Sequence, residues 1–128
     1  MDIIEVCAEA LFKQGVKDVV VLASEGVFET RLYDRYFQAK RIEVQYPLLL
    51  MKEIRYYIES VKQNTITEET LQRFFKLLAG FSSNDVILGC TELPVVYEQV
   101  LRKYGKTPAR GVHDPLEYVI QKLQRELK

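Results

Sequence analysis

The sequence has little of the residues that mark metal sites, disulfide frameworks or membrane proteins. It holds two cysteines in 128 residues, and His113 is the single histidine. Two cysteines make no disulfide framework, and neither lies at zinc-ligand spacing. The apolar runs are far too short to span a bilayer, and the N-terminal segment lacks the basic and apolar regions of a secretory signal. We therefore predict a cytoplasmic protein with no metal and no membrane association.

The chain also lacks an excess of either charge. Lys plus Arg and Asp plus Glu number 18 each, so the formal net charge is zero. A nucleic-acid-binding protein or a polybasic membrane-surface protein would need a cationic face, so both classes are disfavoured. Hydrophobic residues make up 48% of the chain, which is enough for a real core. The length predicts one domain over residues 1–128.

Patterns typical of helices and strands alternate along the chain. Short β-branched runs predict buried strands, and apolar residues three and four apart predict helices. Strands are predicted at 18–23, 42–46 and 85–90 and within 107–112; helices are predicted at about 3–14, 28–39, 47–62, 68–81 and 94–104, with a closing helix at 114–128. Thr67 and Asp114 fit the N-cap position. The alternation predicts an α/β fold with three α/β/α layers and a mainly parallel sheet of about four strands.

Two of the predicted strands end in polar residues. One is followed by Ser24, Glu25 and Gly26, and the other ends at Cys90 and is followed by Thr91 and Glu92. In parallel sheets, ligands bind beyond the carboxyl ends of the strands. The coincidence points to a binding or catalytic site at this edge of the sheet.

Cys90 is the sharpest candidate for chemistry. It lies where a predicted strand turns into a helix, and a helix N-terminus lowers the pKa of a thiol. Glu92 can exchange a proton or orient an ammonium group, and Thr91 offers a hydroxyl and an amide to a carboxylate. A buried structural cysteine at a strand end is an equally good interpretation of the residues alone.

Three motifs resemble the aspartate/glutamate racemase family. The segment 87–94, Ile-Leu-Gly-Cys-Thr-Glu-Leu-Pro, looks like the second cysteine motif of that family. The segment 21–27, Val-Leu-Ala-Ser-Glu-Gly-Val, is similar to its Leu-Ala-Thr-x-Gly-Thr strand and loop. The segment 114–117, Asp-Pro-Leu-Glu, is similar to the start of its closing helix. The motifs follow the family order across nearly the whole chain.

The resemblance implies a racemase that acts on a small amino acid, aspartate or glutamate, without pyridoxal phosphate or any other cofactor. In that family one cysteine removes the α-proton, and a second cysteine delivers a proton to the opposite face. Cys90 would be one of these acid/base groups, with Glu92 as an auxiliary group and Thr91 as a substrate contact.

The resemblance also implies a wider set of substrate contacts. Ser24 and Gly26 occupy the family's substrate loop, although Val27 stands where the family has Thr. Lys62 lies near the position of a substrate-contacting lysine in the family, and a solvated cation at a helix end is the alternative.

The chain is about half the length of the two-domain family enzymes and lacks the domain with the first cysteine motif. Cys7 lies on the apolar face of a predicted helix, where it fits the core better than a catalytic role. We therefore expect a homo-oligomer, in which two copies of Cys90 face each other, or a piece of a longer enzyme. The alternatives are a catalytically inactive domain that binds a small carboxylate or amino acid, and another cysteine enzyme of the superfamily.

The histidine and several tyrosines, whose side chains could also act in catalysis or binding, fit structural roles better. We expect His113 to be a satisfied loop histidine. The tyrosines at helical spacing are expected to pack in the core or at an interface; these are Tyr33, Tyr36, Tyr56, Tyr57 and Tyr97.

Overall fold

A parallel sheet of four strands forms the centre of the molecule. The computed structural model describes residues 2–127. The strands are β1 (Asp18–Leu22), β2 (Glu43–Gln45), β3 (Asp85–Leu88) and β4 (Gly111–His113), in the spatial order β2-β1-β3-β4. All neighbouring pairs are parallel. The predicted α/β class, with a parallel sheet of about four strands, is confirmed.

Seven α-helices are described around the sheet: α1 (Ile3–Lys13), α2 (Glu25–Thr30), α3 (Asp34–Ala39), α4 (Met51–Lys62), α5 (Glu68–Ala79), α6 (Leu93–Tyr104) and α7 (Pro115–Glu126). Helix α1 contacts α3 and α7, whereas α4, α5 and α6 contact one another. These two groups form the outer layers, as right-handed crossovers between parallel strands require. None of these helices is long and apolar enough to cross a membrane.

The two central strands are the most deeply buried. Val19, Val21 and Ile87 are fully buried, and so are most of their neighbours in β1 and β3. Each such side chain stabilises the fold by about 1.5–3 kcal/mol relative to an exposed position. The continuous β-branched runs in the sequence reflect this burial on both faces.

The helix starts follow the capping residues in the sequence. The Asp114 side chain accepts from the Leu116 amide, and Thr67 forms a capping box with Thr70. Both predicted N-caps are confirmed. Pro47 does not open a helix directly, because a short 3₁₀ turn (Leu48–Leu50) comes first and α4 begins at Met51.

The helix predicted at 28–39 is wrong in one respect. It is two short helices, α2 and α3, because Arg31 adopts a left-handed conformation with φ 48° and ends α2. A non-glycine residue rarely adopts this conformation, and no glycine in the sequence marks the position. Apolar spacing continues across the break, so periodicity alone could not reveal it.

The closing helix folds back onto its own chain. Helix α7 ends at Glu126 and packs against α1. Residue 128, which the sequence analysis includes in this helix, lies outside the described residues. The packing leaves an apolar stripe of α7 exposed, formed by Leu116, Ile120, Leu123 and Leu127.

A buried polar cluster joins β3, β4 and α7. Asp85 Oδ1 lies 2.9 Å from His113 Nε2, and His113 Nδ1 lies 2.6 Å from the Tyr118 hydroxyl. Arg110 donates to the other Asp85 oxygen at 3.0 Å, and Gln14 donates to the Tyr118 hydroxyl at 3.0 Å. His113 is therefore a buried and satisfied histidine, as expected, although it lies at the end of β4.

Candidate functional site

The carboxyl ends of β1 and β3 lie side by side at the centre of the sheet. Leu22 pairs with Leu88, and the Gly89 amide donates to the Leu22 carbonyl at 2.8 Å. The chain order reverses between these two strands, which is where open α/β sheets bind ligands. Ser24 and Cys90 both follow these strand ends, so the structure brings the two polar loops to one edge.

Cys90 lies in a cavity at this edge with a volume of about 290 Å³. The cavity lies among the ends of β3, α1, α6 and α7. Besides Cys90, its lining includes Tyr33, Gly89, Thr91, Asp114, Leu116 and Ile3. A second cavity of about 560 Å³ adjoins it between α6 and α7 and shares Leu88, Pro94 and Asp114 with it. The site therefore has room for a small molecule.

The Cys90 thiol is half-buried, and its pKa is raised above the ordinary value. Burial is the largest cause. The backbone amides of Leu93 and Glu92 lower the pKa, as the helix start predicts, but the carboxylate of Glu92 adds to the increase. The expectation of a lowered pKa is therefore wrong, because desolvation and a nearby negative charge outweigh the amides. Cys90 is mainly a protonated thiol near neutral pH.

Thr91 and Glu92 are close to Cys90 and to each other. The Thr91 hydroxyl donates to Glu92 Oε2 at 2.9 Å. Glu92 is near enough to affect the Cys90 thiol both as a charge and as a hydrogen-bond partner. The arrangement offers a proton-bearing sulfur and a carboxylate that can receive or return a proton.

The other predicted contacts lie outside the lining of the Cys90 cavity. Ser24 is the residue before α2, and its side chain makes no capping bond. Gly26 is exposed within α2, with open space where a side chain would be. Lys62 is exposed at the end of α4. Ser24 and Gly26 share the edge of the sheet with Cys90, whereas no described contact joins Lys62 to it.

Sequence reasoning missed two polar residues of the cavity. The sequence predicts that Tyr33 packs in the core or at an interface and that Asp114 caps α7; both also line the Cys90 cavity. For Asp114, the closing motif of the family was an available signal. For Tyr33 there was none, because its orientation depends on the break between α2 and α3.

Cys7 is a core residue, as the sequence analysis favours. Its side chain is fully buried, and burial raises the pKa of its thiol to about 12. It lies within α1 and does not line the Cys90 cavity. Over residues 2–127, no group of three or more His, Cys, Asp or Glu side chains could hold a metal ion.

Comparison with known proteins supports the resemblance seen in the motifs. The chain is 27% identical to a glutamate racemase of Carboxydothermus hydrogenoformans over 111 residues. Its fold matches an aspartate racemase homologue from Pyrococcus horikoshii, with a TM-score of 0.76 at 25% identity. It also matches the fold of Picrophilus torridus aspartate racemase, with a TM-score of 0.69 at 22% identity. No family model matches the chain.

The chain is related to the aspartate/glutamate racemase family. The relationship covers most of this chain but only part of each relative. The match with the glutamate racemase covers 86% of this chain and 41% of that protein. The match with the Pyrococcus horikoshii structure covers 98% of this chain and 54% of that one. The match with the Picrophilus torridus structure covers 90% of this chain and 47% of that one. The chain therefore spans about half the length of the proteins it resembles, and the other half of those proteins has no counterpart in it.

Proposed function

We propose that the protein is a cofactor-independent amino-acid racemase that acts on aspartate or glutamate through Cys90. The observation that carries the proposal is the Cys90 cavity at the switch point of the sheet, where a protonated thiol adjoins a carboxylate and a helix start. The similarity to a glutamate racemase supports the same chemistry. The free thiols of Cys7 and Cys90 fit a reducing compartment such as the cytoplasm.

The reaction exchanges one proton on the α-carbon. In one direction Cys90 first passes its thiol proton to Glu92. The resulting thiolate takes the α-proton, and the electron pair of the C–H bond delocalises into the substrate carboxylate. A donor on the opposite face then protonates the carbon, which inverts it; in the reverse direction the Cys90 thiol is the donor. Backbone amides at the start of α6 favour the negative charge that develops on the substrate. Thr91 is proposed to contact the substrate, and Glu92 to assist proton transfer.

The second proton donor is proposed to be Cys90 of another copy of the chain. Cys7 is buried in the core, and no other described cysteine lies at the cavity. Several large apolar side chains are exposed around the carboxyl edge of the sheet, among them Leu48, Leu49, Leu116 and Ile3. Leu49 is fully exposed, and a contiguous patch of exposed apolar side chains, rather than a single one, is typical of an interaction surface. A homodimer formed through this edge would cover it and complete the site.

The catalytic claim is tested by α-proton exchange in D₂O. The protein is incubated with L- and D-aspartate and with L- and D-glutamate, and loss of the α-proton is followed by NMR beside optical rotation. Exchange with loss of optical activity, absent in Cys90→Ala, is the expected result. Exchange without inversion would show that Cys90 acts on one face alone. No exchange with any of the four would overturn the proposal.

The dimer claim is tested separately. Sedimentation at micromolar concentration should show a dimer, and a bifunctional thiol reagent spanning about 10 Å should join two copies through Cys90. A Cys90→Ala sample treated in the same way is the control. A monomer would contradict the dimer, and the first half of the family enzymes would then be the expected source of the second donor.

The second candidate function is binding of a small carboxylate or amino acid by a domain that is catalytically inactive. The Cys90 cavity supports this candidate, because it has room for a small ligand whether or not a second proton donor is present. Binding of aspartate or glutamate without exchange would establish it.

A further inference from the structure

A buried tyrosine hydroxyl that has no hydrogen-bond partner among the described residues faces the Cys90 cavity. Tyr33 is only 4% exposed and lines this cavity. Among the described residues, no nitrogen or oxygen atom hydrogen-bonds to its hydroxyl, and no side-chain N or O atom is sealed from the surface unpaired. Buried phenols usually find a partner in the protein. The Tyr33 hydroxyl instead opens to the cavity.

The orientation of this side chain is fixed on several sides. Arg31 ends α2 in a left-handed conformation two residues before Tyr33, and the Tyr33 amide donates to the Tyr46 hydroxyl at 3.0 Å. That hydroxyl in turn donates to Asp34 at 2.8 Å. The Tyr33 ring packs edge-on against Phe37, with 5.7 Å between the ring centroids. The hydroxyl is therefore held in place by groups that do not themselves bond to it.

The strand end makes room for this hydroxyl. A Cβ atom added at Gly89 would lie only 3.2 Å from the Tyr33 oxygen. Gly89 immediately precedes Cys90, so the hydroxyl lies directly beside the backbone that carries the reactive thiol. A larger residue at position 89 would crowd this hydroxyl together with the Ala23 and Val21 side chains.

The hydroxyl remains protonated under physiological conditions. Burial, followed by the nearby Cys7 and Cys90 thiols, raises the pKa of Tyr33 well above its ordinary value. A neutral phenol donates one hydrogen bond. Over residues 2–127, no Lys or Arg side chain lines the cavity, and the carboxyl group in its lining is that of Asp114. An anionic ligand in this cavity therefore needs neutral donors.

We propose that the Tyr33 hydroxyl donates a hydrogen bond to a carboxylate group of the ligand held beside Cys90. Tyr33 is then a ligand-binding residue that fixes the carboxylate relative to the thiol. The inference deepens the proposed amino-acid site and rests on it for the identity of the ligand. It does not require that the ligand react.

The test is binding of a dicarboxylate that carries no amino group. Calorimetry with succinate and with L-aspartate compares the wild type with Tyr33→Phe, which keeps the ring and its contact with Phe37. We expect Tyr33→Phe to bind both ligands about tenfold more weakly, as loss of a hydrogen bond to a charged group predicts. Tyr36→Phe removes a hydroxyl three residues along the same segment and should bind as the wild type does.

A second measurement, by NMR, follows ligand binding in the wild-type protein itself. With tyrosine labelled at ¹³Cζ, the Tyr33 resonance should shift on addition of succinate, and the other tyrosine resonances should move less. Tyr33→Phe serves only to assign the signal.

The outcomes separate this inference from the proposed catalysis. Succinate binding that Tyr33→Phe weakens, without α-proton exchange by the wild type, supports the role of Tyr33 and overturns the racemase. Equal binding by Tyr33→Phe and the wild type, with an unmoved Tyr33 resonance, overturns the role of Tyr33 even if exchange occurs. Failure of the wild type to bind either ligand overturns the role of Tyr33 as well.

Discussion

Polar side chains lie at both ends of the strand β3, and the two ends differ in whether these side chains have hydrogen-bond partners within the protein. At its start, Asp85 is bonded to His113 and Arg110, and His113 is bonded in turn to Tyr118. Beyond its other end, the Cys90 thiol and the Tyr33 hydroxyl face a cavity. The groups of the first cluster hydrogen-bond to one another and join α7 to the sheet, and His113 and Tyr118 also line the cavity of about 560 Å³. The second has groups left for a ligand.

This comparison separates structural from functional polar residues better than residue type does. A lone histidine beside an aspartate and a tyrosine resembles a catalytic relay, but each partner in the Asp85 cluster serves to position β4 and α7. A tyrosine among apolar residues resembles core, but its hydroxyl opens to the cavity. Unused hydrogen-bonding capacity at a cavity is the distinguishing feature.

The largest expected effect is on catalysis at Cys90. Cys90→Ala should reduce α-proton exchange by about 10³-fold, because the acid/base group is lost. The free energy of unfolding, measured in urea, should change little. Cys7→Ala is the matched control: it should lower stability by about 1–2 kcal/mol through loss of a buried side chain and leave exchange intact. If the two variants lose exchange equally, the assignment of Cys90 is wrong.

The next largest effect is on stability at the opposite end of β3. Asp85→Ala should lower the free energy of unfolding by about 3 kcal/mol, because His113 and Arg110 lose a buried partner. Succinate binding at temperatures where the variant is folded should not change. A change below about 0.5 kcal/mol would show that the cluster does not stabilise the fold.

The Asp85 cluster should also make stability depend on pH in the acid range. Burial raises the pKa of Asp85, but hydrogen bonds from His113 and Arg110 more than offset it, so the pKa lies below the ordinary value. A carboxyl with a lowered pKa stabilises the fold above its unfolded pKa of about 3.9, and this stabilisation is lost as the pH falls through the folded value. The stability gap between wild type and Asp85→Ala should therefore narrow as the pH falls from about 6 toward about 2. A gap independent of pH would contradict the assignment.

A smaller effect on stability is expected at Gly111, which packs against Asp85 and His113. A Cβ added there would overlap Asp85 Oδ1 and lie 3.0 Å from His113 Nε2. Gly111→Ala should therefore lower the free energy of unfolding by about 1–3 kcal/mol, an overpacking cost that chemical denaturation can measure. Gly26→Ala, where the added Cβ meets open space, should cost less than Gly111→Ala. An equal cost at both positions would show that the close packing at Gly111 is unimportant.

The sequence predicts the sheet well because its signals are local. Buried β-branched runs mark β1 and β3, and Thr67 and Asp114 mark two helix starts. Cys90, Thr91 and Glu92 could be proposed as one group because they follow a strand directly. Tyr33 could not, since its position depends on the conformation of Arg31, which apolar spacing does not reveal. The raised pKa of Cys90 could not be predicted from the sequence either, because it depends on how deeply the thiol is buried and on how close the Glu92 carboxylate lies to it.

The most direct test of the Cys90 cavity as a ligand site is protection of its thiol from alkylation. With iodoacetamide followed by mass spectrometry, Cys90 should react faster than the buried Cys7, and its rate should rise with pH beyond about 8.5 because the pKa of its thiol is raised. Aspartate, glutamate or succinate should slow the reaction of Cys90 in a saturable way. A Cys90 alkylation rate that none of the three ligands changes, up to millimolar concentrations, would contradict the account.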